Sequence, residues 1–219
     1  MSHDTWIHRA VGYGVEPFAR TALRPNHVTM ARLTAGIAAA ILFAWGTRDV
    51  QIWACALFVA SFLLDRADGI LARLQGTATE TGHVLDLVAD LLSNSLIFIG
   101  IGIGLRFSWL GAWGALLGLA AGLGVGAYFW MTARLEKRTG EGARSFGGFD
   151  DDDAMLLVPI ATLLDYSVEL LALAAVVAPL AALCLLAFKW KALWGPMPRR
   201  NAMPAQESIN SRPRRQVRR

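Results

Sequence analysis

Two cysteines in 219 residues are too few for a disulfide framework, and both Cys55 and Cys184 sit in apolar runs, where a thiol acts as a small packing residue. Charge is scarce too: 17% of residues are Asp, Glu, Lys or Arg against 55% hydrophobic, with a mean hydropathy of +0.42. That balance excludes an ordinary soluble domain of this length. The N-terminus carries Asp4, His8 and Arg9 and lacks the short apolar core and small-residue cleavage site of a removable signal peptide. No His or Cys stands at zinc-ligand spacing.

What the chain does have is long apolar stretches. A helix needs about 20 residues to cross the hydrocarbon layer. Six candidates are present, at 28–45, 50–74, 81–105, 109–133, 154–164 and 168–188. The fifth is short and relies on the acidic run before it. The expectation is an all-α membrane protein of six transmembrane helices, with an amphipathic interfacial helix at its N-terminus. In that helix Trp6, Ile7, Val11, Val15, Phe18, Ala22 and Leu23 recur at roughly helical spacing, interleaved with Arg9, Glu16, Arg20 and Arg24. Pro25 ends it. The expected units are a juxtamembrane helix (1–24), a catalytic transmembrane domain (25–190) and a basic, disordered cytoplasmic tail (191–219). The tail's arginines suit anionic lipid better than nucleic acid.

With a cytoplasmic N-terminus, the external loops hold only Arg48 and Arg106 of the 21 basic residues, so both termini are expected inside. A bacterial inner membrane is the expected location. In the fourth span Gly114, Gly118, Gly122 and Gly126 make one smooth face. Such a face suits packing within the bundle or against a second copy, and a homodimer is expected.

The second span ends with Asp65 and Asp68, and the third begins with Asp86 and Asp90. Each pair shares a helix face, at i,i+3 and i,i+4. The short link between them makes the helices antiparallel neighbours. Counting outward from the turn at about 1.5 Å per residue puts the four carboxylates within roughly 6 Å of one level. Charges in a membrane helix are costly and mark function, and clustered like charges call for a cation. Arg66 and Arg73 could absorb two of the acids but not four. All-oxygen ligands favour Mg2+ or Mn2+. His83, near but alone, reads as a turn residue.

The pattern formed by Asp65, Asp68, Gly69, Ala72, Arg73, Gly82, Asp86 and Asp90, D-x2-D-G-x2-A-R-x8-G-x3-D-x3-D, resembles the signature of the CDP-alcohol phosphatidyltransferase family. Pro25-Asn26-His27-Val28-Thr29 before the first span is similar to the family as well. The resemblance implies two divalent ions, one on Asp65, Asp68 and Asp86 and one on Asp65, Asp86 and Asp90. It makes Asp90 the general base as well. It implies donor (CDP) contacts at Asn26, Thr29, Gly69, Ala72, Arg73, Thr79 and Gly82. It also implies transfer of a phosphatidyl group from CDP-diacylglycerol, or a similar CDP-alcohol, to a small polar alcohol, with CMP released in phospholipid biosynthesis.

The acceptor stays open. Arg134, Lys137, Arg138 and Arg144 could bind a phosphorylated alcohol, though the positive-inside bias also explains them. Where phosphatidylinositol-type members of the family usually carry a basic pair, this chain has Asp150, Asp151, Asp152 and Asp153. Those acids could complement a helix N-terminus or meet an acceptor. The rival reading is an ion or metal transporter with an intramembrane carboxylate cluster. It would spread acids along a path and show repeated halves, whereas here the acids gather at one end of two adjacent helices.

Overall fold

The computed structural model describes residues 11, 13–17, 21, 23–77, 79–139 and 151–195. Among these the regular structure is entirely helical, without strands. We label the long elements α1 (Pro25–Trp45), α2 (Arg48–Gln75), α3 (Glu80–Gly104), α4 (Trp113–Thr139), α5 (Leu157–Leu163) and α6 (Ser167–Trp194). Short 3-10 turns at Leu105–Phe107 and Asp151–Leu156 follow α3 and precede α5.

Local sequence sets the ends. Pro25 opens α1, where a missing N–H costs nothing, and Gly46 closes it in the left-handed region at φ 85°. Gly76 (φ 62°) closes α2 and returns its N–H to the carbonyls of Ala72 and Arg73. Thr79 caps α3, its hydroxyl accepting the Gly82 N–H at 3.1 Å. These caps keep the α2–α3 link short, yet the expected direct packing of the two motif helices does not form: each packs chiefly on α1, and they approach one another at the carboxylates. The expected start of the fourth span at 109 moves to Trp113, because 108–112 is a turn with Gly111 at φ 52°. The sixth span, expected to end at 188, reaches Trp194 with a break at Lys189 (φ −112°, ψ 15°).

Four helices are long and apolar enough to cross a membrane: Pro25–Trp45, Glu80–Phe107, Trp113–Thr139 and Ser167–Trp194. α2 has the length, at 28 residues, but carries Arg48, Asp49, Asp65, Arg66, Asp68 and Arg73. The apolar segment Asp153–Leu163 is shorter than a span requires. Most of the expected 1–24 helix lies outside the described residues. Residues 11 and 13–15 are helical, and Val15 packs with Val28, Ile70 and Leu71. The tail from 196 onward lies outside them too.

α1 packs on α2 and α3, α3 on α4, and α4 on α6. The core runs through Phe43, Phe58, Ile97, Phe98, Val125, Val158 and Leu171. The glycine face of α4 is spent inside this bundle. A Cβ at Gly118 would come within 2.7 Å of the Phe98 carbonyl, and one at Gly122 within 2.6 Å of the Ser95 carbonyl, both on α3. The face therefore does not serve a second copy; it brings two backbones of one chain together. At the end of the bundle away from the aspartates, Arg48 donates to the carbonyls of Thr162 and Leu163 at 2.7 and 2.6 Å. Arg106 likewise donates to Ala44 at 2.6 Å, so both basic residues of the expected external side hold helix ends.

Gly118→Leu should destabilise the protein by about 1–3 kcal/mol through overpacking. Thermal unfolding in detergent micelles reads this directly, with Leu123→Ala on the exposed side of α4 as a near-neutral comparison.

Candidate active site at the aspartate cluster

α2 contributes Asp65 and Asp68, and α3 contributes Asp86 and Asp90. Asp65, Asp68 and Asp86 each offer a carboxylate oxygen, and the three lie within 4.8 Å of one another. Asp68 is buried and accepts a hydrogen bond from the Thr29 hydroxyl of α1 at 2.7 Å. Asp90, one turn beyond Asp86, joins the group through a residue the sequence reading passed over.

That residue is Arg32. It lies one turn after Thr29 on α1 and is 2% exposed. Its guanidinium pairs with Asp65, with Asp86 Oδ1 at 3.0 Å and with Asp90 Oδ1 at 3.0 Å. It also donates to the Asp86 main-chain carbonyl at 2.8 Å, and the Ser61 hydroxyl of α2 donates to its own carbonyl at 3.0 Å. A signal for it was present: a lone arginine inside an otherwise apolar first span is as costly as the aspartates are.

One guanidinium against four carboxylates leaves a formal excess of three negative charges. Asp86 Oδ1 is buried and accepts no well-directed hydrogen bond. An excess of anionic oxygens among converging carboxylates fits an oxygen-coordinated divalent cation in both charge and donor type.

The seven expected donor residues come together. Asn26, Thr29, Gly69, Ala72, Arg73, Thr79 and Gly82 line one cleft of about 200 Å3 with Asp68 and Asp86, joined by Pro25, Thr77 and His83. A Cβ at Gly69 would meet nothing within 4 Å, so that glycine leaves space open on the cleft wall. His83, expected as a turn residue, stands in the first turn of α3 and faces this cleft.

The expected acceptor residues are engaged elsewhere. Arg134 donates to the Leu193 carbonyl at 3.2 Å and stacks over Trp194 at 4.2 Å. Arg138 donates to the carbonyls of Leu193 and Gly195, so the two arginines cap the C-terminal end of α6. Lys137 pairs with Glu80 at 3.3 Å in an exposed position. Arg144 and Asp150 lie outside the described residues. Asp153 is the informative member of the acid run: it is buried and meets Arg66 at 2.6 Å. Arg66, expected as a counter-charge for the motif aspartates, thus ties the motif helix to the turn before α5.

A helical bundle with an oxygen-ligand cluster beside a polar cleft defines a membrane-embedded protein able to hold a divalent cation next to a polar ligand. Residues 22–195 match the CDP-alcohol phosphatidyltransferase family, and the chain belongs to it. It is 38% identical over 104 residues to a phosphatidylinositol phosphate synthase of Mycolicibacterium smegmatis, covering 45% of this chain and 42% of that protein. It is 34% identical over 123 residues to an archaetidylinositol phosphate synthase of Methanothermobacter thermautotrophicus, covering 56% and 58%. The chain thus spans about half the length of these curated relatives. In fold it is similar to Mycobacterium tuberculosis phosphatidylinositol phosphate synthase with CDP-DAG bound, with a TM-score of 0.65, 21% identity and coverage of 85% of this chain and 94% of that one. The same enzyme in complex with manganese and citrate gives a TM-score of 0.64 at 20% identity, covering 84% and 88%. Family and apolar helices together make this an integral membrane protein.

Removing one partner of the buried Arg66–Asp153 pair, as in Asp153→Ala, should cost about 3–5 kcal/mol. Replacing both with methionine should recover part of that loss. Chemical or thermal unfolding of the three variants in one detergent provides the comparison.

Proposed function

We propose that the protein transfers a phosphatidyl or similar substituted phosphate group from CDP-diacylglycerol, or another CDP-alcohol, to a small hydroxyl acceptor, releasing CMP. One observation carries the reading: the residues that the motif implies for CDP line a single cleft, and that cleft opens on Asp68 and Asp86. The CDP-DAG and manganese complexes of the M. tuberculosis enzyme support the same donor and ion chemistry here.

In this reading Asp65, Asp68 and Asp86 hold one divalent ion, and Asp65, Asp86 and Asp90 hold a second, Mg2+ or Mn2+ in each place. Bound there, such ions neutralise charge on the pyrophosphate oxygens and on the oxygen that leaves. Asn26, Thr29, Arg73 and Thr79 offer polar contacts to the CDP, while Gly69, Ala72 and Gly82 keep the wall low enough for it to approach the backbone. Asp90 takes the proton of the acceptor hydroxyl. The freed oxygen attacks the phosphorus that bears the lipid, the bond to the bridging oxygen breaks, and CMP departs.

Similarity to phosphatidylinositol phosphate synthases puts inositol phosphate first among the acceptors to test. The basic stretch of Arg134, Lys137, Arg138 and Arg144 is proposed to favour a charged acceptor through its field, since α6 takes the hydrogen bonds of Arg134 and Arg138. We further propose six crossings, α2 and the 151–163 segment completing the four long apolar helices. The cluster and both termini would be cytoplasmic in a bacterial inner membrane, and the protein a homodimer. Arg48 and Arg106, at the far end of the bundle from the aspartates, support that orientation.

The decisive experiment gives purified protein CDP-diacylglycerol and Mg2+ with inositol phosphate, glycerol phosphate, inositol or serine and measures CMP release. Release with none of them would overturn the transfer reading. Asp90→Asn should lower turnover by about 10²–10⁴-fold in a folded protein, and normal turnover would refute the base. A strong chelator should stop the reaction, and added Mg2+ should restore it.

A further inference from the structure

Arg32 contacts Asp65, Asp86 and Asp90. These are the same three acids that, in the proposed reading, hold the second ion. A guanidinium and a divalent cation compete for those carboxylates, because both carry positive charge and each weakens the hold of the other. The fit of Arg32 to the trio is also incomplete. Its Nε has no hydrogen-bond partner although buried, and Asp86 Oδ1 accepts no well-directed one.

Beside the guanidinium lies a small cavity of about 20 Å3, bordered by Ser61, Asp65, Asp90, Ser93 and Asn94. Ser93 is 5% exposed and its hydroxyl has no partner. A polar atom buried without a partner is costly, and this one borders the same cavity as Arg32. Gly36, one turn after Arg32, lets α1 sit this close: a Cβ there would come within 2.8 Å of the Ser93 Cβ.

We propose that Arg32 is a resident counter-cation that holds Asp65, Asp86 and Asp90 together and yields them to the second divalent ion by shifting toward Ser93. It is a positioning residue, and it makes metal loading ordered. The ion on the Asp65, Asp68 and Asp86 side enters first, since Asp68 is bonded to Thr29 and not to Arg32. The ion on the Asp90 side binds more weakly, because it must displace the arginine. The inference rests on the two-ion reading above.

The test is Mn2+ binding, followed by electron paramagnetic resonance and calorimetry on protein in nanodiscs without nucleotide or lipid donor. Wild type should show two affinity classes separated by about tenfold or more. Arg32→Gln should tighten the weaker class toward the stronger. It should also lower the melting temperature in chelator and enlarge the Mn2+-induced rise. Ser93→Ala, which removes the receiving hydroxyl, should weaken the second class and spare the first. If Arg32→Gln does not fold, Arg32→Lys and Ser93→Ala still decide, the lysine narrowing the gap because it makes fewer bonds to the trio. A gap unchanged in every folded variant, or both classes weakening together, would overturn the inference. So would a wild type with two equal sites. A wild type that binds no Mn2+ at millimolar concentration would instead sink the metal reading beneath it.

Discussion

Four carboxylates at one level of a membrane bundle repel one another, and the rest of the structure answers to that constraint. Each charge placed in a spanning helix costs about 2.5–3.5 kcal/mol on insertion scales, so the cluster exists only where cations reach it. α1 supplies the resident one. Arg32 can do so because Gly36 and Gly100 let α1 lie against α3 with almost no side chain between them, Gly100 facing the Ala40 carbonyl. α4 then packs on the opposite glycine face of α3 and holds it there. The close-packed half of the bundle and the charged half are therefore one design: backbone proximity at one end fixes where the carboxylates converge at the other.

Much of the site was legible because helical periodicity turns spacing into geometry. Asp65 with Asp68 and Asp86 with Asp90 had to share faces, and the Thr79 and Gly76 caps made the intervening turn short enough to align them. The donor cleft followed from the motif for the same reason, as its residues lie within one or two turns of that link. Arg32 was missed because it sits outside the motif and was counted with the basic residues near the cytoplasmic side. Charge bias places an arginine along the membrane normal but says nothing about which face of the helix it occupies. The glycine face of α4 was ambiguous on similar grounds: smoothness invites any backbone, and only tertiary packing chose α3. The fifth element falls at 153–163 against the expected 154–164, and the acidic run before it forms a 3-10 turn that extends the segment.

The basic residues divide into two kinds of work. Arg48, Arg106, Arg134 and Arg138 hold main-chain carbonyls at helix ends, where the last turn leaves acceptors unsatisfied. Arg32 and Arg66, themselves buried, instead meet carboxylates, one in the motif cluster and one on Asp153. Composition alone treats all six alike. The distinction explains why Arg134 and Arg138 do not line the cleft. It also gives one member of the acid run a structural role, since Asp153 balances an arginine set inside the motif itself.

The Arg66–Asp153 pair also bears on how the protein is made. The residues of the cluster and its cleft lie between 25 and 90, so they leave the ribosome well before Asp153 does. During synthesis α1, α2 and α3 can enter the bilayer and meet before Asp153 has been made. Arrival of the later hairpin then neutralises the charge and fastens the second half of the chain to the first. A nascent chain stopped short of residue 153 would carry every residue of the cluster and its cleft but lack the carboxylate that ties α2 to the later half of the bundle.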